Sequence, residues 1–274
     1  MWAVVVTLLI ALSVAGVLAA AWGRSAPPWP SVWDLPRSAG SYMGIVGMLG
    51  SASIVSSIFI ANLSVAREAD EFASVMGMFI IAFFVLIGAA MEYASTPNRA
   101  DVVDEDYLRI QRYAYFMANV SYLCGLMISW SGLRLLVLAI DLDYVADVLT
   151  WVLLVSLLAG LVRQSQALLR LSGNAEVACM VIPLLAFAAA ATYRLVLVPN
   201  FDGLRPPRDE ALLFTLICFA LTALGFAAQS SLTGAWGRER ETAFIRRYGD
   251  RLMLAWMQAM ATSLAMLYLV VVKT

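Results

Sequence analysis

The sequence predicts an all-α fold: a polytopic integral membrane bundle of about eight transmembrane helices, forming a single domain over residues 1–274. Two observations carry this. Composition is the first, because 62% of residues are hydrophobic and 14% charged, whereas soluble domains run near 45–50% apolar and about 25% charged. The second is that the apolar residues fall in runs of roughly 20, the length a helix needs to cross about 30 Å of hydrocarbon. A mean hydropathy of +0.83 agrees. A chain this short cannot bury eight such runs in a soluble core, so lipid must solvate most of their surface.

Taken in order, the first run is 1–22. It has no charged residue ahead of it and exceeds the apolar stretch of about 7–15 residues in a signal peptide, so it reads as a retained span despite Ala19-Ala20-Ala21. The following stretch carries Pro27, Pro28, Pro30 and Pro36, and its Trp22, Trp29 and Trp33 suit a membrane–water interface. The second to fourth spans are expected at 40–65, 73–94 and 112–133. They are separated by Arg67 to Glu71 and by Pro97-Asn98 with the acidic run Asp101 to Asp106. The fourth boundary, Ser131 to Asp143, is the weakest. Gly132 and Arg134 interrupt the span there, Leu135–Ile140 could form a separate interfacial turn, and seven or nine crossings stay open. The remaining spans are 145–170, 177–198, 211–233 and 250–272. Gly173-Asn174, Pro199 to Glu210 and Gly237 to Arg247 separate them.

Orientation follows from the arginines and lysines, which favour cytoplasmic loops. With the first residue outside, 12 of the 18 fall on the cytoplasmic side: Arg24, Arg37, Arg99, Arg109, Arg112, Arg163, Arg170, Arg238, Arg240, Arg246, Arg247 and Arg251. Arg67, Arg134, Arg194, Arg205, Arg208 and Lys273 fall outside. Both termini are therefore expected outside the cytoplasm. All loops are short and leave no extramembrane domain to host chemistry. No internal repeat is evident, although repeats in membrane folds can survive as hydropathy symmetry alone.

Several chemistries are excluded or disfavoured. The chain has no histidine, the commonest metal ligand and general base. Its single lysine, Lys273, stands next to the end, so an intramembrane Schiff base has no donor. Cys124, Cys179 and Cys218 each lie in an apolar run without a C-x-x-C pair and read as small buried hydrophobes. Nucleophile-elbow, Walker A and dinucleotide motifs are missing. A net charge of −1 offers no field for nucleic acid. We expect no enzyme activity, no metal and no cofactor. The acidic loop Asp101, Asp104, Glu105, Asp106 could hold Mg²⁺ for a diphosphate, but the partner cluster Asp202, Asp209, Glu210 is expected on the opposite side. Pairing with Arg238, Arg240, Arg246 and Arg247 is the simpler reading. Arg238–Arg251 is expected to form an amphipathic or extended helix with Phe244, Ile245 and Tyr248 towards lipid.

Ionisable residues inside a span are the default pointer to function. Glu92, Asp147, Arg163 and Arg194 all stand near span ends, where snorkelling into water accounts for them, and no mid-membrane carboxylate is visible. Small and polar seams remain. In the second span Gly40, Gly44, Gly47, Gly50, Ser51, Ser53, Ser56 and Ser57 recur at spacings of mostly three and four, which reads as one small-residue face for close helix or subunit packing. In the seventh, Thr215, Cys218, Thr222, Gly225 and Gln229 follow at intervals of 3, 4, 3 and 4. Asn119, Tyr122 and Ser129 share a face of the fourth, and Gln258 with Thr262 of the eighth. Such groups are either interhelical glue or the lining of a narrow path. The methionines of the last span, Met253, Met257, Met260 and Met266, read as adaptable packing.

The pattern implies a small channel or permease-like protein that passes a small solute and is oligomeric, since the glycine face suits a homo-oligomer. Candidate path-lining residues are Ser53, Ser57, Asn62, Asn119, Ser129, Thr215, Thr222 and Gln229. Gly40, Gly44, Gly47 and Gly50 are the candidate packing or subunit face. The rival is a non-catalytic anchor or scaffold subunit among partner membrane proteins, and an intramembrane enzyme built on the acidic loop stands third.

Overall fold

A computed structural model describes residues 35–67, 71–94, 105–169, 208–234 and 239–272. These form six helices: α1 (Leu35–Arg67), α2 (Glu71–Ala94), α3 (Glu105–Ala139), α4 (Asp143–Leu169), α5 (Arg208–Gly234) and α6 (Glu239–Val272). No strand occurs among the described residues. Five helices are long and apolar enough to cross a membrane, over Ala39–Asn62, Phe72–Ala94, Tyr113–Ala139, Glu210–Ser230 and Arg251–Val272. The chain is thus a multi-pass helical membrane protein. Helix α4 coincides with the fifth expected span; those expected at 1–22 and 177–198 lie outside the described residues, as do Asp101, Asp104, Cys179 and Arg194.

Outward faces carry large apolar side chains such as Met48, Val55, Phe59, Val155 and Leu224, all more than half exposed. In water these would be a liability; against lipid tails they are the required solvent-facing surface.

Helix α3 is the hub, packing on α1, α2, α4, α5 and α6. Within the spans, 56% of the α3 window and 61% of the α6 window are buried, against 28% for α1 and for α5. The largest core lies around α3 and α6, with Met78, Met117, Met127, Met257 and Met260 filling its gaps. A smaller one joins α1, α2 and α3 around Val46, Leu86, Tyr93 and Tyr115.

The break expected within Ser131–Asp143 falls at 140–142, and the interruption expected at Gly132 and Arg134 is corrected. Helix α3 runs through Gly132 and Arg134 to Ala139, so Leu135–Ile140 is no separate turn up to that point. It ends in a Schellman motif: Leu142 N–H donates to the Val137 carbonyl at 2.9 Å and Asp141 N–H to Leu138 at 3.1 Å. Asp141 takes the left-handed conformation this needs, with φ 61°. Leu142 then offers its carbonyl to Val145 and Ala146, starting α4 at once. Gly132 serves packing instead of breaking the helix, since a Cβ there would lie 3.2 Å from the Phe79 ring. The basic stretch 239–251 is continuous with the last span in α6.

Candidate functional site

The last turn of α2 places Glu92 and Tyr93 inside the bundle. Glu92 follows Met78 and Val85 at intervals of seven, so it continues their buried stripe. It is 0% exposed, which overturns the expectation that it snorkels to water. Its carboxyl faces the Ser121 hydroxyl of α3, itself fully buried. From α5, the Gln229 Nε2 donates to the Glu92 backbone carbonyl at 3.0 Å.

Beside it stands an aromatic and amide cluster. The Tyr93 hydroxyl donates to Asn119 Oδ1 at 3.0 Å, and Asn119 Nδ2 donates to the Tyr115 carbonyl at 2.8 Å. Tyr42 of α1 stacks on Tyr93 with centroids 5.6 Å apart, and Tyr115 meets Tyr93 edge-on at 5.8 Å. Tyr122 stands 6.5 Å from Tyr42. Stacked and edge-to-face pairs of this kind supply about 0.5–1.5 kcal/mol each beyond burial.

From this cluster a polar line continues along α3. Asn119, Tyr122 and Ser129 share its half-buried face, spanning about 15 Å at a rise of 1.5 Å per residue. At its far end Ser129 Oγ meets Ser53 Oγ of α1 at 3.2 Å. Both hydroxyls also bond carbonyls of their own helices, Gly125 and Leu49. Ser57 is buried and bonded to Ile54, while Asn62 is exposed.

The seventh-span seam is the buried stripe of α5: Ala211, Thr215, Cys218, Thr222, Gly225 and Gln229. Thr215 and Thr222 donate to the carbonyls of Ala211 and Cys218 one turn back. Cys218 meets Cys124 of α3. A Cβ on Gly225 would lie 2.9 Å from Trp256, whose indole N–H donates to Leu221 at 2.8 Å.

The small-residue pattern of α1 divides into two faces instead of one. Each step of three turns a helix position back by about 60°, so 50 and 53 rotate away from 40, 44 and 47. Gly50, Ser53 and Ser57 face the bundle. A Cβ added to Gly40, Gly44 or Gly47 would meet no described atom beyond its own stretch of helix within 4 Å.

Arg134, expected in an outer loop, is 5% exposed within α3. Its Nε donates to Thr150 Oγ1 of α4 at 2.7 Å, and its Nη1 donates to the Val271 carbonyl. A cation at the end of α6 suits both the orphan carbonyls and the helix dipole there. Asp147 is exposed, in keeping with snorkelling. No group of three or more acidic or cysteine residues that could hold a metal occurs among the described residues.

Glu92 and Arg134 are what sequence reading missed, and helix phase held the signal for Glu92. No protein-family model, curated protein or solved structure matches the chain.

Proposed function

We propose that this protein is a small permease-like membrane protein that passes a small polar solute, acts without catalysis or cofactor, and assembles as a homo-oligomer. The observation that supports this is the polar line between α1, α2 and α3, from Tyr42, Tyr93 and Asn119 to the Ser53–Ser129 pair, beside a buried carboxyl. Polar groups inside a membrane bundle are costly and tend to mark a pathway. Hydroxyls, an amide and aromatic rings suit an uncharged solute better than a bare ion. In this reading Ser53, Asn119 and Ser129 contact the solute, and Ser57, Thr215, Thr222 and Gln229 hold the helices around it. The chain crosses about eight times with both ends outside. Arg134 now leaves the outer loops, so the positive count becomes twelve inside against five outside.

Flux of neutral polar solutes into proteoliposomes tests the reading. Asn119→Leu and Ser129→Leu are expected to reduce flux at least tenfold while the fold persists. A well-folded preparation that passes no solute refutes it.

The anchor or scaffold reading draws on a different observation, the face of Gly40, Gly44 and Gly47, where an added Cβ would meet no described atom and another backbone could approach closely. A stoichiometric partner retained from native membranes, lost in Gly44→Leu, would favour it.

A further inference from the structure

We infer that Glu92 is a proton-exchange site, alternating between carboxylate and carboxylic acid, with Ser121 and Gln229 as its positioning residues. The inference deepens the permease reading and rests on it for the purpose of the exchange, which would couple a proton to the solute.

Three helices pack on α2, and each contributes a polar side chain near its last turn. From α3 comes the buried Ser121 hydroxyl. From α5 comes Gln229, 1% exposed, whose bond to the Glu92 backbone carbonyl fixes the register of the last turn of α2. From α1 comes Tyr42, stacked on Tyr93. Among the described residues, Tyr42 of α1 and Tyr115 and Tyr122 of α3 cluster with Tyr93 on this side of the bundle. Histidine is absent from the chain.

One and two heptads earlier on the same stripe, Val85 and Met78 fill the equivalent positions with apolar side chains. An apolar residue at 92 would pack without the several kcal/mol that a polar group costs at such a site. A purely structural hydrogen-bonding role would be met by glutamine, which cannot exchange a proton. The site also lies two residues before the end of its span at Ala94, within about 3 Å of axial rise of that end. That places it where a proton can arrive from water. In the exchange, hydronium gives a proton to a Glu92 oxygen, forming one O–H bond and releasing water. Breaking that bond returns the proton to water and regenerates the carboxylate, with no net oxidation.

The experiment is infrared difference spectroscopy of the full chain in lipid between two pH values, in H₂O and in D₂O. Wild type is expected to show a carboxylic-acid C=O band that changes with pH, shifts in D₂O and is lost in Glu92→Gln. Ser121→Ala should move its frequency while keeping it, which holds the test open if Glu92→Gln fails to fold. The absence of a pH-responsive band assignable to Glu92, or a band insensitive to D₂O, overturns the inference. Proton exchange without solute flux leaves this site standing and removes the permease reading. Flux without exchange at Glu92 does the reverse.

Discussion

Leu86 of α2 is held between two glycines, Gly50 of α1 and Gly125 of α3, and this contact yields the sharpest stability prediction. A Cβ on Gly125 would stand 2.6 Å from Leu86 Cγ and 2.7 Å from Cδ2. Carbon atoms in contact prefer about 3.5–4.0 Å, so Gly125→Ala requires Leu86 to move by about 1 Å. Leu86 is fully buried, and on its other side α1 comes close enough that a Cβ added to Gly50 would stand 3.5 Å from Leu86 Cβ. In a close-packed interior the branch carbon retreats only by displacing its neighbours or by separating α2 from α3. Overpacking costs about 1–3 kcal/mol, offset by up to about 1 kcal/mol of helix propensity. We predict a net loss of about 1–2 kcal/mol. Gly88→Ala on α2, where the added Cβ would meet no described atom beyond its own stretch of helix within 4 Å, should be neutral or stabilised by up to about 1 kcal/mol. The assay is unfolding in mixed micelles followed by tryptophan fluorescence. Leu86→Ala alone should cost about 2–5 kcal/mol, and combined with Gly125→Ala it should cost at least about 1 kcal/mol less than the sum. Equal stability of the Gly125→Ala and Gly88→Ala proteins would falsify the wedge.

Three further outcomes are expected. Arg134→Leu removes the bonds to Thr150 and the Val271 carbonyl; at about 1.5–3 kcal/mol per bond to a charged group, less the desolvation it relieves, we expect a loss of about 2–4 kcal/mol. Hydrogen exchange should show the last turn of α6 losing protection, and an unchanged last turn would contradict the capping role. For Ser53→Ala and Ser129→Ala, a double-mutant cycle should give a coupling near 0.6 kcal/mol, about the average for such contacts, because each hydroxyl proton is shared with its own helix. A coupling above about 2 kcal/mol would show a stronger bond than this geometry provides. Trp256→Phe should cost about 0.5–1.5 kcal/mol through the lost bond to Leu221 and should make Gly225→Ala better tolerated; an unchanged penalty at Gly225 would rule out the close approach.

Much of the fold was legible in the sequence because hydrocarbon accepts only long apolar helices, and length with composition reveals these directly. The α5 stripe was legible for a related reason: intervals of three and four along one helix place side chains on one face whatever packs there. The α1 glycines misled because successive steps of three drift around the helix, so Gly40, Gly44 and Gly47 part from Gly50 and Ser53. Arg134 misled because a charge beside a glycine reads as a loop. The carbonyl it caps belongs to a helix more than a hundred residues later, which no local pattern reveals.

By itself, then, the sequence determined the solvent, the helices and the face that α5 buries, since these depend on hydrophobicity and helical period alone. Tertiary structure decided that Glu92 and Arg134 lie inside the bundle, that Leu86 fits between two glycines, and that Ser53 meets Ser129. Each depends on which helices become neighbours. Lipid solvates every apolar face alike, so the choice of neighbour rests on side-chain shape and hydrogen bonding between distant segments.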